Sequence, residues 1–326
     1  MRILTYLKDN KYPIKAVILV VSNIMICLFK FILINLSCLQ IFTLLNMKNI
    51  PISLNTSTKL LLSTSGSDSS IHRHNTAIQK LGLNLCYFTF KDSICAKTYT
   101  DAIKAPFVNG GTVTAHDGLK SKVIPFLDCV EPLAKETLAV NTIINKNGKL
   151  YGYNTDCHGL QTTLTKGIKD SKQDIKTAVI YGNGGVSGVA FKVLQDLGLQ
   201  VTIVGRDADK VAQKRKDLGI DNIPHFAGPY DLVVDATPIS SSPELEQNTQ
   251  FIDLAKTAKI VFCHAMPEKD NKKNYLLEYC DKNNIFYIGG EGMYIAQLIK
   301  QYMLYFDNLN LEKKITEGDI VEAWKL

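Results

Sequence analysis

Residues Thr177 to Arg206 constrain the chain more than any other stretch. Thr177-Ala178-Val179-Ile180-Tyr181 is a continuous apolar run of strand length. It meets Gly182-Asn183-Gly184-Gly185-Val186-Ser187-Gly188, a helical pattern follows through Leu197, and Gln200-Val201-Thr202-Ile203-Val204 is the next strand. A β-α-β unit of this length makes parallel neighbours, so a parallel sheet covered by helices is expected. The glycines let backbone N–H groups approach a pyrophosphate at a helix N-terminus. A lone glycine loop is also how chains make a tight strand-to-helix turn, and it is the β-α-β setting that favours the nucleotide reading. The candidate cofactor contacts here are Gly182, Asn183, Gly184, Gly185 and Val186.

The end of the second strand bears on which dinucleotide fits. An acid there suits the ribose hydroxyls of NAD, whereas a 2′-phosphate needs positive charge. Arg206 and Lys210 could clamp a 2′-phosphate, and Asp207 stands between them. NADP is favoured and NAD stays open. Read alone, two such basic residues also fit a solvated helix start.

The rest of the chain keeps the alternation. Strands are expected at 59–63, 85–90, 138–144, 150–153, 231–235, 260–263 and 285–288, with a hairpin turn at 145–148. Helices are expected at 70–81 and 159–168, and Gly110 to Thr114 reads as a loop entering a short strand. The class is therefore α/β. At about 150 residues per domain, 326 residues suggest two domains.

Several functions are disfavoured. The net charge of +6 is mild and its basic residues are spread out, which speaks against nucleic acid as a partner. Eight scattered Cys form no Cys-x-x-Cys pair, so no metal or redox site is expected, and reduced thiols in the cytoplasm are the plain reading. Cys157, Cys263 and Cys280 read as packing residues, as does Trp324. Residues 16–45 are apolar, with Lys30 as their single charge, and follow Arg2, Lys8, Lys11 and Lys15. Residues 1–46 read either as a membrane anchor or as sequence upstream of a true start at Met47.

Three polar stretches precede the glycine loop: Thr112-Val113-Thr114-Ala115-His116-Asp117-Gly118-Leu119-Lys120, Ala139-Val140-Asn141-Thr142-Ile143, and Asn154-Thr155-Asp156-Cys157-His158-Gly159. A group that gives a proton to a carbonyl oxygen as hydride arrives is drawn from Lys, His or Tyr. The second stretch resembles the Ala-Val-Asn-Thr-Ile element of shikimate dehydrogenases, and the third resembles their Asn-Thr-Asp-Gly-x-Gly. His74-Asn75, the 181–187 loop, Asp235-Ala236-Thr237-Pro238 and Gly290-x-Gly292-Met293-x-x-x-Gln297 resemble further family elements, in the same order.

The resemblance implies two α/β domains around a cleft. A substrate domain would span 47–158, with 292–326 packing back on it, and a Rossmann-like NADP domain would span 159–291. It implies reversible reduction of 3-dehydroshikimate to shikimate by a Lys–Asp pair, matched to Lys120 and Asp156. Ser70, Thr114, Asn141 and Gln297 would line the substrate pocket, and Thr237, Gly290 and Met293 would join the cofactor site. Quinate or another cyclic hydroxy acid is the alternative substrate, and a non-catalytic dinucleotide-binding paralogue is the alternative class; a monomer or a homodimer is expected. The sequence departs from the family in four places. The Pro before the catalytic Lys is absent and two extra residues precede it, which leaves Lys122 and His116 as rivals. Asp68 and Ser70 take the two Ser positions of Ser-x-Ser, Met266 stands where the family has Tyr, and Asp235 replaces Asn.

Overall fold

The structure, a computed structural model, describes residues 54–90, 93–114, 118–220, 228–265 and 274–325. The apolar leader, His116 and Met266 lie outside the described residues. No helix among the described residues is long and apolar enough to cross a membrane.

The first sheet is built from β1 (Lys59–Ser63), β2 (Leu85–Thr89), β3 (Val108–Thr112), β4 (Cys129–Val130), β5 (Thr142–Lys146) and β6 (Lys149–Tyr153), in the order β2-β1-β3-β5-β6-β4. The parallel β1–β2 and β1–β3 pairs are linked by helices α1 (Asp68–Lys80) and α2 (Ala96–Ile103). The β5–β6 hairpin is antiparallel and turns through Asn147 and Gly148, both at positive φ. Two short helices, α3 (Leu119–Lys122) and α4 (Pro132–Glu136), lie in the connections around β4.

Helix α5 (Thr155–Ser171) leads from this sheet to the second. There β7 (Thr177–Tyr181), β8 (Gln200–Val204), β9 (Leu232–Asp235), β10 (Ile260–Cys263) and β11 (Phe286–Ile288) pair in parallel, in the order β11-β10-β9-β7-β8. Helices α6 (Gly185–Asp196), α7 (Ala208–Asp217), α8 (Thr249–Thr257) and α9 (Tyr275–Lys282) connect them. Val179, Ile180, Val233, Val234, Val261 and Phe262 are fully buried, as central strands covered on both faces must be. The strand order reverses between β7 and β9, which is where doubly wound sheets open a crevice for ligands.

The chain then returns. Helix α10 (Glu291–Asp307) runs against α5, and its Leu298, Tyr302 and Tyr305 join Leu61 and Ile78 in the first sheet's core. Helix α11 (Glu317–Trp324) closes that core. There Trp324 Nε1 and the Tyr302 hydroxyl both donate to His74 Nδ1, at 3.0 and 2.9 Å. Burial holds the His74 pKa down near 3, so the ring is neutral with its proton on Nε2.

Two expectations need correction. Gly110 and Gly111 lie inside β3, not in a loop. A Cβ on Gly110 would meet the Ile143 carbonyl and the Tyr305 ring, and one on Gly111 the Tyr99 hydroxyl, so only glycine fits between the layers. The strand expected from Leu138 begins at Thr142, because Leu138 has φ 52° and breaks extended structure. Leu138 is also 46% exposed. A left-handed Leu is strained and this one buries little, so Leu138→Gly should raise stability by about 0.5–1 kcal/mol. A urea midpoint that rises at unchanged m-value would show it.

Candidate functional site

Helix α3 is a single turn. Gly118 caps it at φ 69°, a conformation that suits glycine, and the Lys120 carbonyl accepts from Val140 N at 2.9 Å. That fixes the backbone under Lys120. The Lys120 Nζ lies 2.6 Å from Asp156 Oδ2, with both side chains about one-fifth exposed. Lys122, on the same turn, is exposed and makes no ion pair among the described residues. The two extra residues therefore do not turn Lys120 to solvent.

Asp156 stands in the first turn of α5, where a helix N-terminus favours a carboxylate. The Asn154 side chain caps that turn and accepts from Asp156 N. Asn141 Nδ2 donates to Asp156 Oδ1 and to Thr155 Oγ1, both at 2.9 Å, and Asn141 Oδ1 accepts from Thr155 N at 2.9 Å. One buried amide thus ties β5 to α5 and aims the carboxylate. Thr155 Oγ1 reaches Gln297 Oε1 at 3.3 Å, which brings α10 to the site. The close approach of α5 and α10 occurs at Gly159, where a Cβ would lie 2.4 Å from the Met293 carbonyl and 2.9 Å from Gln297 Cβ.

Thr114 follows β3 beside Asn141, whose carbonyl accepts from Val113 N at 2.8 Å. Its hydroxyl lies 2.9 Å from Thr64 Oγ1 and 2.7 Å from Ser65 Oγ, and its backbone N–H donates to Thr64 Oγ1. These three hydroxyls form a polar cluster, linked to the Lys–Asp pair through Val113 and Asn141. Thr64 and Ser65 were not singled out from the sequence. The signal was present: they are hydroxyl residues directly past the C-terminal end of β1, the end from which the site opens. Ser70 does not join the cluster. It sits in the first turn of α1, half-buried, with its backbone N–H donated to the Ser67 cap.

The nucleotide candidates lie at the switch point of the second sheet. Gly182 has φ 122°, and a Cβ there would meet Thr237 Cγ2 at 2.8 Å and the Ala236 carbonyl. The Ser187 hydroxyl donates to the Gly182 carbonyl at 2.9 Å. Gly184 caps α6 without a side-chain hydrogen bond, and nothing lies within 4 Å of a Cβ on Gly185. The open cradle and uncapped helix start fit a pyrophosphate. Asn183 and Val186 are half-buried at its rim. Gly290 is pressed on the 264–265 backbone, 2.4 Å from the His264 carbonyl to an added Cβ. Met293 is buried in the core with Cys157 and Leu160, so it offers an apolar wall.

Arg206 is exposed past the end of β8. Lys210 is less available than its sequence position suggests, because its Nζ lies 3.1 Å from Asp207 Oδ2. Asp207 also caps α7, its Oδ1 accepting from Lys210 N at 3.0 Å. These two hydrogen bonds, backbone before side chain, hold the Asp207 pKa below the usual carboxylate value. No group of metal-ligating side chains was found among the described residues.

Comparison with known proteins adds to this geometry. The family model for the shikimate dehydrogenase substrate-binding domain matches residues 65–143. A shikimate dehydrogenase (NADP(+)) of Bacillus cereus is 30% identical over 200 residues, which are 58% of this chain and 71% of the relative. The chain belongs to the shikimate dehydrogenase family. A shikimate dehydrogenase (NADP(+)) of Desulforamulus reducens is 34% identical over 193 residues, 55% of this chain, and the match spans just under two thirds of that relative, 65%. The crystal structure of a shikimate dehydrogenase in complex with NADP+ superimposes with a TM-score of 0.65 at 25% identity, covering 85% of this chain and 98% of that one. Within the family the two sheets are accounted for: the first lies in the substrate-binding region and the second is Rossmann-like.

Proposed function

We propose that this chain catalyses reversible, NADP-dependent reduction of 3-dehydroshikimate to shikimate. The observation that carries the reading is the Lys120–Asp156 pair at 2.6 Å, held by Asn141, to which Val113 joins the Thr64, Ser65 and Thr114 hydroxyls. The relatives in this family named for NADP(+) support the cofactor.

A hydride acceptor needs its oxygen protonated as the carbon is reduced, and an ammonium held against a carboxylate is charged and aimed for that step. Lys120 donates the proton to the carbonyl oxygen on reduction and takes it back, as an amine, on oxidation. Asp156 orients the ammonium, and Asn141 holds Asp156. Thr114, Thr64, Ser65 and Gln297 offer hydrogen bonds to the hydroxyls and carboxylate of the substrate. NADPH, when bound, supplies the hydride. The 182–186 cradle would hold its pyrophosphate, and Arg206, with Lys210 if it leaves Asp207, would meet its 2′-phosphate.

The test is an assay of purified protein by absorbance of the reduced dinucleotide, with shikimate or quinate against NADP or NAD. Shikimate with NADP is expected to give the highest kcat/KM of the four pairings. Turnover in none of them, with NADPH still bound, would instead support a dinucleotide-binding paralogue.

A further inference from the structure

Gln301 lies one turn beyond Gln297 on α10 and is almost fully buried. Its amide sits against Thr112 of β3 and Thr142 of β5, which are partners across the two strands. A buried amide must find separate partners for its donor and its acceptor. Gln301 Oε1 accepts from the Thr112 hydroxyl at 3.3 Å, and Gln301 Nε2 donates to Thr142 Oγ1 at 2.8 Å. The same nitrogen makes a longer approach, 3.5 Å, to the Asn141 carbonyl. The Thr142 hydroxyl donates in turn to Asn141 Oδ1 at 2.8 Å. Asn141 Nδ2 donates to Asp156 Oδ1, on the carboxylate that meets Lys120.

The direction of each bond follows from the proton count, since a hydroxyl has one proton to give. Thr112 directs its proton at Gln301, so the Tyr305 hydroxyl, 2.9 Å from Thr112 Oγ1, is the donor there. Tyr305 is fully buried and burial raises its pKa, so the phenol keeps that proton. Thr142 accepts from an amide N–H, which leaves its own proton for Asn141. Donation therefore runs one way, from Tyr305 through Thr112, Gln301, Thr142 and Asn141 to Asp156. Each bond in such a buried chain polarises the next.

We propose that Gln301 is a positioning residue for the Lys120–Asp156 pair. By donating to Thr142 it turns the Thr142 proton toward Asn141 Oδ1, which keeps the other side of that amide, its N–H, on Asp156. The inference rests on the reading that Lys120 and Asp156 carry the proton transfer. Asn141 Oδ1 has a second donor, the Thr155 backbone N–H at 2.9 Å, and α5 holds that one in place. Loss of Gln301 therefore loosens the Asn141 amide without releasing it. The expected effect is that of one buried hydrogen bond, well short of losing an acid–base group.

The test is NADP-dependent shikimate oxidation by Gln301→Met, Thr142→Val and the double variant. Gln301→Met keeps the side-chain length and loses both amide hydrogen bonds. Gln301→Leu is measured beside it, so the result does not depend on how one side chain packs. Either should lower kcat about three- to tenfold, with the KM for NADP unchanged. Thr142→Val should give a loss of the same order. In the Thr142→Val background, Gln301→Met should lower kcat no further, because the route to Asn141 is already cut. A glutamine that only held α10 on the sheet would behave differently. Its loss would lower the melting temperature and raise the KM for NADP, through Gly290 and Met293 at the start of that helix, and would leave kcat alone. That pattern, or a kcat loss from Gln301→Met as large in the Thr142→Val background as in wild type, would overturn the proposal while the Lys–Asp reading stands. Full activity of Lys120→Ala would overturn both.

Discussion

Lys120→Ala is expected to lower kcat for shikimate oxidation by about 10²–10⁴-fold, the range for losing a positioned acid–base group. The KM for NADP should stay near its wild-type value, because Lys120 is tied to Asp156 and to the Val140 backbone ahead of β5, and not to the 182–186 cradle. Asp156→Asn should cost less than Lys120→Ala, since an amide can still hydrogen-bond the lysine but cannot hold its charge. Lys122→Ala should leave kcat almost unchanged, as that side chain is exposed and lies one half-turn from the Lys120–Asp156 pair. Initial rates with the three variants decide between the two lysines. If Lys122→Ala is inactive and Lys120→Ala is not, the assignment is reversed.

The second large effect belongs to a residue with no side chain. Gly159→Ala places a methyl 2.4 Å from the Met293 carbonyl, where nothing flexible can give way. Helices α5 and α10 must separate. Asp156 lies one turn earlier on α5, and Gln297 lies on the facing turn of α10, so separation pulls the site apart. A stability loss of about 1–3 kcal/mol is expected, as for overpacked cores. A misplacement of about 1 Å also predicts a loss on the order of 10²-fold in kcat/KM. Gly318→Ala is the matched control, because its nearest neighbour stands 3.7 Å from an added Cβ. Equal activity of the two variants would show that the α5–α10 approach does not set the geometry of the site.

The parts legible in the sequence were those with a local cause. The β7–loop–α6–β8 unit was readable because a buried strand is apolar throughout and a close phosphate approach demands glycine. Asp156 was readable through the ordered motifs around it, and Lys120 less so, since the extra residues left Lys122 in contention. The left-handed Gly118 and the Val140-to-Lys120 hydrogen bond set Lys120 against Asp156, and neither is visible in spacing. Gly110-Gly111 misled for the converse reason. Glycine favours loops locally, but here Tyr99 and Tyr305 from two different helices crowd β3 and exclude any side chain. Thr64 and Ser65 were missed because their value depends on the end of β3, fifty residues away, lying beside the end of β1. The sequence places Asp207 between Arg206 and Lys210, and only the structure shows that its capping of α7 brings the Asp207 and Lys210 side chains together.

The most direct test of the central claim is a crystal structure with shikimate bound. Lys120 Nζ and Asp156 should both lie within about 3 Å of the hydroxyl that becomes the carbonyl, with the carboxylate and remaining hydroxyls toward Thr64, Ser65, Thr114 and Gln297. Shikimate bound with that hydroxyl away from Lys120, or bound outside the cleft between the two sheets, would contradict the account.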